Sequence, residues 1–397
     1  MNGENFRELL RDRLNRLERA MLGKKPDRVP FWLLPMANFV PRRVGITVHE
    51  YLFNYSKFVE ATLRVAAELN VEGLDLFNAI PGLEMFLLTV ALVEHPDVGN
   101  PIRLITGPMH DILQDRYTRW PGRELSPNAH PQFLGGTFME VDEYKKLADD
   151  LISFLNEVIL PRVFKALEKP TAPEAYSAWV RLGIDLAKYG ATLVQLGGEM
   201  AKLGYPSLPM GWGYSPLDFI SDFLRHPTRA MIDLRRVPDD VKNACEALTP
   251  HIIKVVKQST IPPNIAQKQF GITVSLTFFP LHLNEMLSLK LYNEFYWPYL
   301  KKVLIETINI GAIPFVAFEG DHTPHLETII ELPKGKVIGW FERADLRKVR
   351  EILGDHIIIA GGISSSLLIH GTPEKVFEEK TAARCKRVWR LYIHGKR

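Results

Sequence analysis

Short, continuous apolar runs that alternate with helical segments are the feature that most constrains how this chain can fold. Three such runs lie near its C-terminus: Ile313–His322, Lys336–Glu342 and His356–Gly362. Runs of this kind are typical of parallel strands that are buried on both faces of a sheet. Ligands bind at the carboxyl ends of such strands, where the polar residues of these runs stand. The sequence therefore predicts one site that contains Glu319, Asp321, His322 and Glu342.

The composition is that of an ordinary globular protein. At 397 residues the chain is long enough for one α/β barrel, and its 49 basic and 46 acidic side chains leave a net charge of +3, too balanced to indicate a nucleic-acid partner. The longest apolar run, Met85–Val93, is about nine residues, whereas a membrane span needs roughly 20. With two cysteines and no signal-peptide core at the start, we expect a soluble, cytoplasmic protein without a structural disulfide.

The apolar runs can be counted along the chain. The candidate strands are Val29–Leu34, Val71–Phe77, Ser207–Trp212, Gly271–Phe279, the three runs above and Arg390–His394. Helical patterns separate most of them, so we predict an α/β fold, a (β/α)8 TIM-type barrel over residues 28–397 preceded by an N-terminal helix over 1–27. Residues 95–200 break the alternation and are predicted to be a helical insertion.

The C-terminal end of the predicted barrel is abbreviated, because only Arg390–His394 remains to supply an eighth strand. A barrel without that strand would leave the first and seventh strands with unpaired edges. We therefore expect Leu391–Ile393 to pair across the gap, or a second subunit to cover it.

Several segments resemble a known family. They are Arg28–Trp32, Phe279–His282, Phe295–Pro298, Phe318–Asp321, Ala360–Leu368 and Gly371–Glu374. In order and spacing they resemble the uroporphyrinogen decarboxylase superfamily, which also contains zinc-dependent methyltransferases that act on corrinoid proteins. The resemblance implies a single barrel and a small-molecule substrate, and for the methyltransferase branch a corrinoid carried by a partner protein.

Decarboxylation is disfavoured by two departures from the decarboxylase pattern. The resemblance implies an Arg-rich loop after the first strand, but Pro35–Phe39 follows it here and Arg42 and Arg43 come only later. It also implies an essential Asp after the second strand, at about the position of Ala79. Methyl transfer involving a corrinoid protein is therefore the leading hypothesis. The alternatives are a uroporphyrinogen decarboxylase (a lyase) and a catalytically inactive barrel that binds a small molecule.

The zinc ligands that the methyltransferase resemblance implies are mostly missing. Glu319 is present, but Trp340 stands where a His is expected and Ile357–Ile359 contains no Cys. A local replacement is chemically allowed, because Asp321, His322 and His325 lie close to Glu319 in sequence and zinc accepts imidazole and carboxylate ligands. The alternative is that His322 caps the following helix and His325 faces solvent. Glu319, Asp321 and His322 are thus the candidate metal ligands.

The remaining candidates also have two interpretations each. His282 lies in the loop after the fourth strand and is either a substrate contact or an ordinary loop histidine. Glu342 is a catalytic acid, a base or a ligand in one interpretation, and in the other it forms a salt bridge with cations near Arg343. With Glu319 they form the predicted catalytic set. Gly361 and Gly362 offer backbone N–H groups to an anion, or simply make a tight turn. A homo-oligomer remains an open alternative for the assembly.

Overall fold

Eight parallel strands form the main sheet of the computed structural model, which describes residues 3–70, 73–361, 365–376 and 388–393. The strands of the described residues are β1 Phe31–Leu34, β2 Leu76–Phe77, β3 Gly82–Glu84, β4 Leu104–Thr106, β5 Thr118–Arg119, β6 Gln132–Phe133, β7 Met210–Trp212, β8 Leu276–Leu281, β9 Ile313–Phe318, β10 Ile338–Phe341, β11 Ile358–Gly361 and β12 Val388–Ile393. The main sheet has the order β2-β1-β12-β11-β10-β9-β8-β7, and β3–β4 and β5–β6 are separate antiparallel pairs.

Helices connect the strands of the main sheet. The α-helices are α1 Gly3–Met21, α2 Phe39–Val44, α3 Val48–Phe53, α4 Tyr55–Glu68, α5 Phe86–Ala91, α6 Pro96–Gly99, α7 Gly107–Leu113, α8 Tyr144–Asp149, α9 Leu151–Phe154, α10 Leu160–Val163, α11 Pro173–Lys202, α12 Pro216–Phe219, α13 Pro227–Arg236, α14 Pro238–Ser259, α15 Pro263–Phe270, α16 Leu289–Leu291, α17 Trp297–Asn309, α18 Leu346–Leu353 and α19 Ser365–His370. Segments Leu155–Ile159, Ile220–Arg225 and Tyr292–Tyr296 are π-helical. Short 3₁₀ helices are Pro101–Arg103, Val141–Glu143, Lys165–Leu167, Asn284–Met286 and Thr323–Glu331.

The mixed α/β class and the parallel sheet expected from the sequence are confirmed. Each of the eight predicted runs overlaps a strand of the main sheet, and consecutive strands from β7 to β12 are neighbours in it. The expected pairing of Leu391–Ile393 is also found, since these residues lie in register with Trp32–Leu34 of β1. Among the described residues, β2 pairs only with β1 and β7 only with β8.

An inner apolar core packs against one face of the main sheet. Alternate residues point to opposite faces of a strand, and one set joins this core from β9, β10 and β11: Phe315, Ala317, Ile338, Trp340, Ile358 and Ala360. Their neighbours Val316 and Ile359 pack instead into the larger core shared with the helices. Helix α1 contributes Leu17 and Met21 to the inner core, so it packs close to the sheet.

Helix α1 is also held by buried ion pairs. Asp75 is fully buried just before β2, and its two oxygens lie 2.6 Å from Arg16 and 2.6 Å from Arg28. Removing either arginine from such a pair would leave a poorly compensated buried charge. The N-terminal helix predicted over residues 1–27 is thereby tied to the start of the second strand.

The region predicted as a helical insertion is mostly helical. It contains the 30-residue helix α11 and several short helices between Val141 and Leu167. The antiparallel pairs β3–β4 and β5–β6, which the sequence did not predict, lie in or near it. None of the helices that the structure describes has the length and apolar character needed to cross a membrane.

Candidate functional site

His282 is the centre of a hydrogen-bonded cluster at the carboxyl end of β8. Its Nδ1 lies 2.6 Å from an Asp222 oxygen, and the Tyr214 hydroxyl donates to the same oxygen over 2.7 Å. The Asp222 side chain is 8% exposed, so solvent does little to weaken these bonds. Bonds of this kind between ionised groups are the stronger ones in proteins. His282 is therefore held in a fixed orientation.

The backbone brings these groups together through two local features. Asp222 lies in the π-helical segment Ile220–Arg225, and π-helical turns frequently occur at functional sites. Tyr214 follows β7 after Gly213, where an added Cβ would lie 2.1 Å from the Phe279 ring. Only glycine allows β7 to pass this closely over the ring.

A second acid, Asp218, holds the backbone of the same loop. It is fully buried and accepts hydrogen bonds from the N–H groups of Leu283 and His282 over 2.9 and 3.3 Å, and from the Tyr296 hydroxyl. Burial, and next the charge of Asp222, raise the pKa of Asp218 to about 7. The loop that carries His282 is thus fixed by a carboxyl group that titrates near neutral pH.

Two further carboxyl groups face His282. An oxygen of Glu319, at the end of β9, lies 3.9 Å from His282 Nε2. Burial raises the pKa of Glu84, at the end of β3, to about 7; nearby His282 lowers it, and Glu319 and Asp222 raise it. A neutral-range acid therefore stands beside the imidazole.

The charge of His282 follows from these neighbours. Burial alone would lower its pKa, but the adjacent Asp222, followed by Glu319 and Glu84, raises the pKa of His282 well above its ordinary value. Opposite charges at this distance favour the protonated imidazole. The cluster thus combines a cationic imidazole with Glu84, which can take up or release a proton near pH 7. Paired groups with different pKa values are the usual basis of acid–base catalysis.

An aromatic cavity of about 260 Å³ is lined by residues that are close to this cluster in sequence or in strand pairing. Its lining is Trp32, Leu34, Leu76, Asn78, Ala79, Ile80, Pro81, Arg103, Leu104, Tyr189, Leu193, Leu208, Met210, Trp212, Phe278, Phe315 and Trp340. Glu84 stands opposite Leu104 in the β3–β4 ladder, and Tyr214 follows Trp212 by two residues. The cavity and the acid–base cluster therefore share these strand ends.

Of the predicted catalytic residues, the structure brings Glu319 and His282 together and gives Glu342 a structural contact. An oxygen of Glu342 accepts the N–H of Gly320 over 2.8 Å. The cation of the neighbouring Arg343 pairs instead with Glu285 over 2.5 Å. Glu342 thus fixes the turn that positions Glu319, and none of the three predicted residues is part of the aromatic cavity lining.

The candidate metal ligands have separate environments. His322 is fully buried between Phe318 and Tyr292, with ring centroids 4.3 and 5.6 Å away, and its Nδ1 lies 3.1 Å from the amide of Asn284. Burial lowers the pKa of His322 well below its ordinary value. The carboxylate of Asp321 instead accepts the N–H of Thr323 over 3.0 Å.

These residues do not fit a zinc centre. Zinc normally takes three or four protein ligands, and the described residues contain no group of three or more His, Cys, Asp or Glu placed to hold a metal ion. The other interpretation of these two histidines is wrong in part. His322 makes no side-chain cap at the 3₁₀ helix Thr323–Glu331, and His325 is buried and stacks on Tyr292 at 4.2 Å instead of facing solvent.

The glycine pair at the end of β11 is only partly described. Gly361 is buried, and a Cβ there would lie 3.1 Å from the side chain of Leu346 in α18, which indicates close packing between strand and helix. Gly362 lies outside the described residues, as does Cys385.

Five residues of the candidate site and the cavity were not predicted from the sequence: Glu84, Tyr214, Asp218, Asp222 and Arg103. One signal was available, because Asp218 and Asp222 are four residues apart after a predicted strand and so lie on one face of a helix. Glu84 ends β3 and Arg103 directly precedes β4, and the sequence of this antiparallel pair has no periodic pattern. No local signal marks either one as part of a site.

Two comparisons with known proteins found a match. The family model of uroporphyrinogen decarboxylase (URO-D) matches residues 210–390, a region that contains β7 to β11, His282 and Glu319. This region is similar to the uroporphyrinogen decarboxylase family. The superfamily assignment made from the sequence motifs is thereby confirmed. The superfamily region includes Asp218 and Asp222, whereas Glu84, Arg103 and Ala79 precede it.

The structure of a methyltransferase from Methanosarcina mazei is similar to the whole chain. The two share 15% sequence identity and a TM-score of 0.55, over 97% of this chain and 93% of that one. At this identity the similarity concerns the fold. A search of curated proteins found no match.

Proposed function

We propose that the protein is a methyltransferase of the uroporphyrinogen decarboxylase superfamily, and that a corrinoid protein is the methyl carrier. The observation that carries the proposal is the acid–base cluster around His282 beside an aromatic cavity of about 260 Å³. Similarity in fold to a methyltransferase over 97% of the chain supports it.

The cluster suits the proton transfer that accompanies methyl transfer. An acceptor thiol or hydroxyl must lose its proton as it gains a methyl group, and Glu84, with a pKa of about 7, is matched to that task at neutral pH. Protonated His282 stabilises the anion that forms. Asp222 keeps the imidazole in place through Nδ1, which leaves Nε2 directed to the substrate side near Glu319. A corrinoid bound to the partner protein would supply the methyl-carrying cobalt.

We also propose that the main sheet closes into the (β/α)8 barrel expected from the sequence. Leu76 of the edge strand β2 and Met210 of the edge strand β7 line the same cavity. The inner core likewise contains residues of β1, β2, β8, β9, β10 and β11. Both observations support a strongly curved sheet whose edges approach each other.

A decarboxylase is the second candidate, favoured by the family model over residues 210–390. The cavity argues against it. Ala79 lines the cavity near the end of β2, at the position where the resemblance to the decarboxylases implies a carboxylate. The walls around it are mainly apolar.

Free methylcobalamin provides a direct test. We expect the purified protein to demethylate methylcobalamin in the presence of small thiols, with the loss followed by absorbance and the methyl thioether by mass spectrometry. Glu84→Gln should reduce the rate by about 10²–10⁴-fold, the usual contribution of a general base. In the wild-type protein the rate should rise with pH up to about 7 and then level off, because Glu84 acts in its ionised form.

Asp321→Asn is the matched control, since Asp321 is exposed and its carboxylate accepts hydrogen bonds only from Thr323 in the described contacts. It should leave the rate unchanged. Turnover by the Glu84→Gln protein at the wild-type rate would remove Glu84 from the mechanism. Decarboxylation of a porphyrinogen without any methyl transfer would favour the second candidate.

A further inference from the structure

Arg103 is a cation without an anionic partner in the wall of the aromatic cavity. None of the described carboxylates forms an ion pair with it, its Nε has no hydrogen-bond partner, and one NH₂ group reaches only the Asn100 carbonyl at 3.5 Å. Burial lowers the pKa of Arg103 below its ordinary value. By contrast, the buried Arg225 lies 2.7 Å from Asp233, and the buried Arg13 donates hydrogen bonds to the Gly204 carbonyl over 2.9 Å and to the Asn70 side chain over 2.8 Å.

Two more polar atoms of the same wall lack partners. Trp32 Nε1 and Asn78 Oδ1 are buried and make no hydrogen bond to any described residue, and both residues line the cavity. Buried polar groups in proteins are nearly always hydrogen-bonded, so exceptions call for an explanation. Three such groups around one cavity are explained together by a ligand that bonds to them.

The aromatic side chains that line the cavity indicate the shape of the rest of that ligand. Trp212 lies under the Arg103 guanidinium, with Cζ 5.5 Å from the ring centroid, and Phe278, Phe315 and Trp340 are also part of the lining. Flat aromatic faces favour a flat apolar body. At about 260 Å³ the cavity is somewhat below the usual size of drug-like pockets, so the ligand is small.

We infer that the aromatic cavity binds a small carboxylate with a flat apolar body, its anionic group held by the Arg103 guanidinium. A planar carboxylate matches the donor geometry of a guanidinium, which bonds to both oxygens at once. Binding at this site does not depend on catalysis. That such a carboxylate is the substrate rests on the proposed methyltransferase function, because Leu104 of the cavity lining pairs with Glu84 across β3 and β4.

Benzoate is the probe, and benzamide is its neutral counterpart of the same shape. Titration calorimetry on the full chain should show benzoate binding more tightly than benzamide. Arg103→Gln should weaken benzoate binding by about tenfold to hundredfold, the usual effect of losing hydrogen bonds to a charged group, and should leave benzamide unchanged. Arg103→Lys keeps the positive charge but lacks the two-pronged donor geometry of a guanidinium, so its benzoate affinity should lie between those of the wild type and Arg103→Gln.

Arg43→Gln is the matched control, because Arg43 pairs with Glu68 on the surface and is not part of the lining. It should bind benzoate like the wild type. Equal affinity for benzoate and benzamide, or benzoate binding that is indifferent to Arg103→Gln in a protein with an unchanged circular dichroism spectrum, would overturn the inference. Benzoate binding without methyl transfer would contradict only the proposed function; methyl transfer without Arg103-dependent binding would contradict only this inference.

Discussion

Replacing Asp222 by Asn tests whether one carboxylate keeps His282 protonated. The wild-type contact joins His282 Nδ1 to Asp222 over 2.6 Å. A hydrogen bond between charged groups contributes about 1.5–3 kcal/mol, and one pKa unit corresponds to about 1.36 kcal/mol. The pKa of His282 should therefore fall by about 1–2 units in Asp222→Asn. The side chain of His282 is 32% exposed, so solvent screening places the expected fall nearer one unit.

The pKa can be measured by NMR titration of protein labelled with ¹³C at histidine Cε1, with His282→Gln used to assign the signal. Asp321→Asn serves as the control and should leave the pKa unchanged. A raised pKa in the folded protein contributes stability below the unfolded value of about 6.5 that is lost as the pH rises through the folded value. The difference in Tm between wild type and Asp222→Asn should therefore be largest near pH 6 and shrink at higher pH. If the pKa of His282 stays within a few tenths of a unit, Asp222 does not set its charge.

Three further predictions concern stability. Gly320→Ala should lower Tm by a few degrees in a thermal scan, because Gly320 has φ +68° and a Cβ there would meet the Glu285 carboxylate at 2.0 Å. Gly335→Ala is the control: Gly335 has φ +75° and open surroundings, so this variant should show only the backbone strain, and equal losses of Tm would argue against the clash. His322→Phe should reduce the fall in Tm between pH 8 and pH 5. Burial lowers the pKa of His322, and stability that depends on a neutral histidine is lost as the pH falls below about 6.5. An unchanged pH dependence of Tm would show that His322 does not limit acid stability. Deleting residues 389–397 should lower solubility, measured by light scattering, and Tm, measured by calorimetry. Strand β12 pairs with both β1 and β11, so its loss exposes the edges of those two strands. A monodisperse protein of unchanged Tm would show that β12 does not protect these edges.

The position of the strands was predictable from sequence because it depends on local pattern. Runs such as Ile313–Phe318 and Ile338–Phe341 are continuous and apolar, as strands buried on both faces must be. The direction of a parallel strand then decides which residues stand at its carboxyl end, so the sequence correctly placed Glu319 and His282 at the same end of the sheet. It also predicted the pairing of Leu391–Ile393, because an unpaired apolar edge is costly.

The partners of His282 could not be predicted with the same means. Glu84 comes from an antiparallel pair outside the main sheet, and Asp222 from a π-helical segment, and neither position follows from a short periodic pattern. The pKa values of Glu84 and Asp218 depend first on burial, which only the assembled chain creates.

His322 shows most clearly the difference between what the sequence predicts and what the tertiary structure decides. In sequence it follows a strand end beside Asp321 and Glu319, which is equally consistent with a metal ligand and with the start of a helix. The tertiary structure places its ring among Phe318, Tyr292 and His325. The sequence thus determined the strands and the edge of the sheet at which polar residues gather, since both follow from local apolar pattern and strand direction. Packing between distant segments decided which of those residues are charged and paired, because burial and contact with groups far apart in the chain determine both.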